Sequence, residues 1–568
     1  METIAIYLKK NYLLLLILSL AVFLRFFGIQ KFPPSANWDE ISHGYNACSI
    51  LKTGQDEWGK TFPSIFRAYG DYKLPVYIYI TSLVEMLVGP NIFAIRLTSL
   101  LAGIGSLIFV YLLTKELFNI KTALIAAFLF AIEPWSFFLS RGAFEANLAL
   151  FFVIAGVYFF VKATRKDLYF LASFFLFGLS IWTYNSARIF VPLLIVAITC
   201  IFRREIFGLI KKNRVIFILS LVIIITLFLP MVYQLVGSDG RARYGKVAII
   251  DEGAVSKINQ DIHLSKLPVV LRRVVYNKGT YWIIKFVGNY INHFSGNFLF
   301  FKGGSNYQFS VPEFGLIYPV NALFFIIGLI SFIGTRDKKR QLIVLWMLLA
   351  PIPSSITREA PHVLRSILLL PTPMILTASG LVSSYNWLKR KKLDISFRRI
   401  FISFYLVILF VLAWRYLNEY FGNYSRDYSW SWQYGYKQIV NYAKENYDKY
   451  DNIIVTKKYG EPHEFFLFFW PWDPDKYRND PNLIRFYQSK WYWVDRFNKF
   501  YFVNDWEIAK SDGNTFVLES GGKVDCTITK CLLITSPENH PKNWAKIKTI
   551  NFLNNEPAFE IYNNLKED

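Results

Sequence analysis

Tyr12-Leu13-Leu14-Leu15-Leu16-Ile17-Leu18-Ser19-Leu20-Ala21-Val22-Phe23-Leu24 opens an apolar run, and Asn37-Trp38-Asp39-Glu40 follows shortly after it. With its continuation to about residue 29, the run approaches the roughly 20 residues that cross a bilayer. Residues 21–29 offer no convincing small-residue cleavage site, so the helix is expected to remain as an anchor. Two adjacent carboxylates then stand where a membrane helix emerges, in a chain whose formal net charge is +22. That position predicts chemistry at a membrane surface.

Working outward, the 568 residues are 54% hydrophobic and 18% aromatic, with a mean hydropathy of +0.29. This is too apolar for an ordinary soluble enzyme and too polar for a chain wholly in the membrane, so two parts are expected. Apolar runs recur to about Leu417 and stop there. Domains are therefore read as 1–418, transmembrane with outer loops 30–94 and 236–313, and 419–568, extracytoplasmic.

Lys/Arg clusters mark the cytoplasmic side of membrane proteins. Here they are Lys9-Lys10, Lys115 to Lys121, Lys162 to Lys166, Arg203 to Arg214, Arg336 to Arg340 and Lys389 to Arg399. Placing all six inside gives spans near 12–29, 95–114, 122–139, 147–162, 168–183, 188–202, 215–235, 315–334, 341–356, 366–384 and 400–417, about eleven in all. The N-terminus is then inside and the C-terminal domain outside the cytoplasmic membrane. Leu74 to Val88 is read as an interfacial helix, because a further crossing there would move the Lys115 and Lys162 loops outside. Asp39, Lys73, Arg141, Glu145, Tyr184 and the segment Arg358 to Arg365 all fall on the outer face.

The loop from about Gly237 to Pro312, with Gly240-Arg241-Ala242-Arg243 and Gly303-Gly304-Ser305-Asn306, reads as a lid over a site. The last domain reads as α/β, with a helix over Gln433–Asn446 and strands at Ile453–Thr456, Lys499–Val503, Thr515–Leu518 and Cys531–Ile534. Cys48, Cys200, Cys526 and Cys531 form no CxxC pair, and the histidines form no HExxH, so no metal site is expected. Cys526 and Cys531 are close enough in sequence for a hairpin disulfide, or are two free thiols. No basic stripe or nucleic-acid motif occurs, which argues against a nucleic-acid partner; anionic membrane lipids meet the basic loops instead.

Each polar motif has a structural alternative beside its chemical one. Asp39 is either a reactive carboxylate or the cap of the amphipathic segment Ile41–Lys52. Glu145 is either an acceptor contact or the i,i+4 partner of Arg141. Lys73 either meets a phosphate or snorkels beside Asp71. The planar forks of Arg358 and Arg365, with His362 between them, suit a phosphate specifically or lipid phosphates in general. Trp491-Tyr492-Trp493 is either a sugar-stacking platform or packing, with packing favoured.

Taken together, these motifs resemble the GT-C class of membrane glycosyltransferases, in the group of protein O-mannosyltransferases, the lipid A aminoarabinose transferase and RgtA/B/C/D-like enzymes. The acidic pair after the first span is matched by Asp39-Glu40, with Tyr45 following. The Lys before a Pro-containing interfacial helix is matched by Tyr72-Lys73-Leu74-Pro75, the next Arg by Arg96, and an Arg with an acid four positions on by Arg141 and Glu145, where relatives often have Asp. The resemblance implies a polytopic α-helical GT-C fold with a C-terminal α/β domain, and a polyprenyl-phosphate sugar as donor. A nucleotide-sugar donor would be on the wrong side.

The expected activity is an inverting glycosyl transfer to an acceptor hydroxyl of a protein, lipid or glycan on the outer face. Asp39 is the expected general base, and Glu40 orients it or binds the sugar. Lys73, Arg358 and Arg365 hold the leaving phosphate; Glu145 positions the acceptor; Tyr45, Arg96, Arg141, Tyr184 and His362 support the site. The carboxylates could take a divalent metal, but a site already supplied with cations needs one less, so metal-independent chemistry is expected. The alternative is a transporter or flippase of lipid-linked sugars, which predicts charges at span centres and paired broken helices.

Overall fold

The recurrent apolar runs fold as helices throughout the first part of the chain. The computed structural model describes residues 2–237, 245–512 and 514–565, with side chains described from Asn11 onward. The side chains of Lys9 and Lys10 and the whole Gly240–Arg243 motif lie outside the described residues. Every segment read as a span contains helix. In order these are α1 (Glu2–Phe26), α4 (Ile92–Leu117), α5 (Ile120–Ile132) with α6 (Pro134–Leu139), α7 (Glu145–Ala163), α8 (Tyr169–Ile181), α9 (Asn185–Ile201) and α11 (Arg214–Val236). Ala322–Phe332, Lys338–Leu349, Thr372–Arg390 and Ile395–Glu419 complete the series. Between them lie α2 (Trp38–Thr53), α3 (Pro75–Val88) and α10 (Arg203–Lys212).

Among the described residues, five helices are long and apolar enough to cross a membrane alone, or six if α9 and α10, bent by 83° to each other, are one span. This is a multi-pass membrane protein. Several remaining spans are shorter than the apolar pattern implied because prolines interrupt them. α5 stops before Pro134, where α6 begins, and the 338–349 helix ends just before Pro351. The break at Glu133 is buried, and its carboxylate accepts hydrogen bonds from Tyr318 N at 2.8 Å and from Asn321 Nδ2, as a buried polar group requires.

The chain resolves into two compact units, Met1–Phe27 with Ser99–Glu419, and Gly28–Thr98 with Tyr420–Asp568. The last break falls between Glu419 and Tyr420. The segment 28–98, read as part of an outer loop of the transmembrane domain, packs with the C-terminal residues.

In that second unit a seven-stranded mixed sheet has the order β10-β11-β9-β3-β6-β5-β4. The strands are β3 (Asn452–Thr456), β4 (Ile484–Gln488), β5 (Trp491–Phe497), β6 (Phe500–Val503), β9 (Cys531–Thr535), β10 (Ala545–Asn551) and β11 (Pro557–Asn563). β3 is parallel to both β6 and β9, and the flanking pairs are antiparallel. The central strands are almost wholly buried, which is why they read as continuous apolar runs. Cys526 and Cys531 are joined by a disulfide.

The hairpin of β1 (Phe66–Ala68) and β2 (Asp71–Lys73) precedes α3 in the same unit. Ala47 and Ile50 of α2 pack with Phe66 and Ile78. α3 has 14 residues, about 21 Å of helix, short of the roughly 30 Å hydrocarbon core. It buries Tyr77, Ile78 and Thr81 and exposes Leu83, Met86 and Leu87, the two-faced pattern of an interfacial helix. α2 also lies against the helix Pro462–Phe469. A methyl group at Gly44 would collide with Phe468 and Ile95, so glycine permits that close approach.

Candidate active site

The first turn of α2 decides where the two adjacent carboxylates go. Its cap is Asn37, not Asp39: Asn37 Oδ1 accepts from Glu40 N at 3.0 Å, and Glu40 Oε2 accepts from Asn37 N at 3.1 Å. This capping box satisfies two backbone donors that a helix start leaves open. Capping therefore uses Glu40 and releases Asp39.

Glu40 is buried and fully committed. Arg96 Nε donates to its Oε1 at 2.9 Å and Arg96 Nη2 to its Oε2 at 3.0 Å. Arg96 Nη1 donates to the Ile29 and Pro33 carbonyls at 2.8 and 2.9 Å, and Nη2 also to Ser35 O. All five guanidinium N–H groups are thereby used. Arg96 holds the 29–40 segment and Glu40 in one arrangement, and neither has a donor or acceptor to spare for a sugar without breaking it.

Asp39 is different. Its side chain is 55% exposed, and Oδ1 forms an ion pair with Lys73 Nζ at 2.9 Å. Oδ2 has no protein partner among the described residues. Lys73, at the end of β2, is largely buried and also donates to Asp39 O at 2.8 Å. Its ammonium sits 5.8 Å from the Tyr69 ring. The Tyr69 hydroxyl donates to Trp38 O at 2.8 Å, and its ring stacks on Trp491 at 5.7 Å. The β1–β2 turn, with Tyr69 at φ +57°, is thus tied to the first turn of α2 and to β5.

Behind this pair lies a buried acidic group that the sequence did not single out. The Glu57 and Glu464 carboxyl groups are both buried, and lie close enough to repel each other when both are charged. Burial raises Glu57 to about 7 against the pull of Arg485. Burial, followed by the Glu57 charge, raises Glu464 well above the carboxylate range, with Lys73 opposing. Glu461, pushed up to about 8 by burial, accepts from Trp491 Nε1. His43, one turn beyond Asp39, is held well below its ordinary value by burial and then by Lys73, and so is neutral. Tyr45 lies in this core, with its ring edge-on to Tyr477 at 6.2 Å. The acids of Asp56-Glu57-Trp58 and Glu461 to Glu464 are far apart in sequence, and only folding brings them together.

The remaining candidates lie in the helical unit. Arg141 donates to Leu24 O at 2.5 Å, Arg25 O at 3.0 Å and Phe27 O at 2.7 Å, so it caps the carbonyl end of α1. Glu145 is half-buried at the start of α7, and Tyr184 is buried just before α9. Arg358 pairs with Asp251 at 2.7 Å. Arg365 pairs with Glu359 at 3.4 Å and donates to Thr357 Oγ1 at 3.0 Å. His362 Nδ1 accepts from Arg365 N at 3.2 Å, and its ring meets Phe309 at 5.1 Å.

Known proteins resemble this arrangement. Residues 73–233 match the family described as dolichyl-phosphate-mannose-protein mannosyltransferase. A putative mannosyltransferase, YkcB, of Bacillus subtilis is 27% identical over 223 residues, 38% of this chain and 30% of that protein. The match thus spans about a third of the length of that relative. ArnT from Cupriavidus metallidurans bound to undecaprenyl phosphate superposes with a TM-score of 0.53 at 11% identity, covering 98% of both chains. The archaeal oligosaccharyltransferase AglB from Archaeoglobus fulgidus, in complex with an inhibitory peptide and a dolichol-phosphate, gives 0.50 at 13% identity, over 82% of this chain and 64% of AglB. The chain has the GT-C fold, and the resemblance to the GT-C glycosyltransferases stands.

Proposed function

We propose that the protein is an inverting glycosyltransferase that moves a sugar from a polyprenyl-phosphate carrier to an acceptor hydroxyl outside the cytoplasmic membrane. The observation that carries this reading is the division of labour in one helical turn. Glu40 is locked to Arg96, while its neighbour Asp39 is exposed and oriented by Lys73.

In this reading Asp39 accepts the proton as the acceptor O–H bond breaks, and the freed oxygen bonds the anomeric carbon from the face opposite the phosphate. The anomeric C–O bond to phosphate breaks, and its electron pair leaves with the polyprenyl phosphate. Lys73 stabilises the added negative charge. Glu40 and Arg96 position the turn instead of touching the sugar. In the helical unit, Arg358 and Arg365 are proposed phosphate contacts, which a ligand would win by displacing Asp251 and Glu359. Glu145 is proposed to position the acceptor with Arg141 bracing its surroundings, and Tyr184 and His362 to support the site.

No step requires a divalent metal, so chelation with EDTA is expected to leave turnover unchanged. Mass analysis of envelope glycans and glycoproteins with and without the protein tests the reading. A missing hexose or pentose would name sugar and acceptor together. An unchanged glycan profile, with donor carried across vesicle bilayers, would replace it with transport.

A further inference from the structure

Residues 262–312 contain Lys266, Arg272, Arg273, Lys278, Lys285 and Lys302 and no aspartate or glutamate. Within this segment lie the helices Val269–Val275 and Lys278–Asn292, and neither has a buried side chain. Val270 is 75% exposed and Ile284 65%, with Val274, Ile283, Val287 and Ile291 exposed beside them. In the longer helix, Ile283, Ile284, Val287 and Ile291 follow the i, i+1, i+4, i+8 spacing of a single face. Lys278, Lys285 and Asn292, seven residues apart, form a separate polar stripe. Trp282, Phe286 and Tyr290 stack in a ladder at 5.1 and 6.3 Å.

At 15 residues the helix is about 22 Å long and cannot span a bilayer core of roughly 30 Å. Its anchor fixes where it lies. Asn289 Nδ2 donates to Ser355 O at 3.2 Å and Thr357 O at 3.0 Å, the Tyr290 hydroxyl donates to Leu348 O at 2.7 Å, and a His293 ring nitrogen meets Ser354 Oγ at 2.8 Å. These partners lie at and just beyond the C-terminal end of the 338–349 helix, the end remote from the basic cluster Arg336–Arg340. An unpartnered apolar surface and a wholly cationic charge set, seated at the end of the 338–349 helix remote from its basic cluster, have one occupant in common.

We infer that the helices 269–275 and 278–292 form an interfacial platform that rests on the bilayer, its apolar faces in the acyl region, and binds anionic phospholipid head groups through Arg272, Arg273, Lys278 and Lys285. Amphipathic helices with basic and aromatic flanks occupy this level of a membrane, and anionic head groups attract each cation within a Debye length. A segment held in lipid is not a lid swinging over an aqueous site.

The test uses the full chain with Cys200→Ser, which removes the exposed free thiol, while Cys48 is buried and Cys526 and Cys531 are bonded. Single cysteines at Val270, Ile284, Lys285 and, as an aqueous control, Asp512 carry nitroxide labels. The protein is placed in nanodiscs of phosphatidylcholine with or without phosphatidylglycerol. Collision with oxygen is expected to exceed collision with a water-soluble nickel chelate several-fold at 270 and 284, and to fall short of it at 285. Phosphatidylglycerol should draw the label at 284 deeper, and Arg272→Glu with Arg273→Glu should abolish that shift. Nickel access at 284 equal to that at 512 would overturn the platform. Shielding from both reagents would replace lipid with a second protein, and a depth indifferent to phosphatidylglycerol would remove the anionic recognition.

Discussion

Asp39–Lys73 and Glu40–Arg96 are adjacent acid–base pairs in one turn of helix, and they differ in almost everything else. Glu40 and Arg96 are fully desolvated, with side chains 1% and 0% exposed, and every guanidinium donor is spent. Asp39 keeps an oxygen without a protein partner among the described residues and more than half its side chain in the open. A buried ion pair costs desolvation and contributes little net stability, but breaking it is expensive. The buried pair therefore fixes geometry, and the exposed pair is free to react. Neighbouring carboxylates in a sequence need not share a role.

The strongest way to break this contrast is to strand Glu40. Arg96→Met leaves a buried carboxylate without its partner, which should cost about 3–5 kcal/mol. Loss of folded protein, read by detergent-solubilised yield and thermal unfolding, is the expected result. An unchanged melting temperature would mean that Glu40 is not held as described. Asp39→Asn should do the opposite, leaving the melting curve intact while turnover falls by roughly 10²-fold or more.

Lys73→Ala sits between them. The phosphate is present in both ground and transition states, so donor binding and turnover should fall together, by about tenfold or more for the loss of one charge-assisted hydrogen bond. A change in turnover alone, with binding intact, would move the phosphate elsewhere.

The smallest effect sharpens the contrast through pH. Burial pushes Glu57 up to about 7 and holds Glu464 well above the carboxylate range, so the folded protein holds protons that the unfolded chain releases near pH 4.5. Stability from this group is full below about pH 4.5 and is lost as pH rises through 7 and beyond. Glu464→Gln removes one of these acids, so the fall of a few degrees in melting temperature between about pH 5 and pH 9 should flatten. An identical slope in the variant would show that Glu464 does not hold its proton as described.

Much of the helical unit was legible because lipid and core both demand apolar runs, and the buried strands β3, β6 and β9 were legible for the same reason. The β4–β5 hairpin was not. Its turn places Ser489 and Lys490 at φ +54° and +61°, positions where Asn or Gly usually announces a hairpin. The edge strand β10 was hidden by Lys546 and Lys548, the charges that protect an exposed edge. At the site, Asp39, Glu40, Lys73 and Arg96 were all readable as a group, but their division was not. It depends on Asn37 capping the helix in place of Asp39, which follows from the backbone entering the helix at Trp38. Glu57 and Glu464 carried no local pattern at all.

The central claim is that the first turn of α2 transfers a sugar. The direct measurement places purified protein in nanodiscs with a polyprenyl-phosphate sugar of known anomeric configuration and candidate acceptors. Release of free polyprenyl phosphate and the configuration of the product are then followed for the native chain and for Asp39→Asn. The account predicts one polyprenyl phosphate per glycosyl bond, an inverted anomeric centre, and a variant that binds donor but scarcely turns over. Retained configuration, or near-normal turnover by Asp39→Asn, would contradict it.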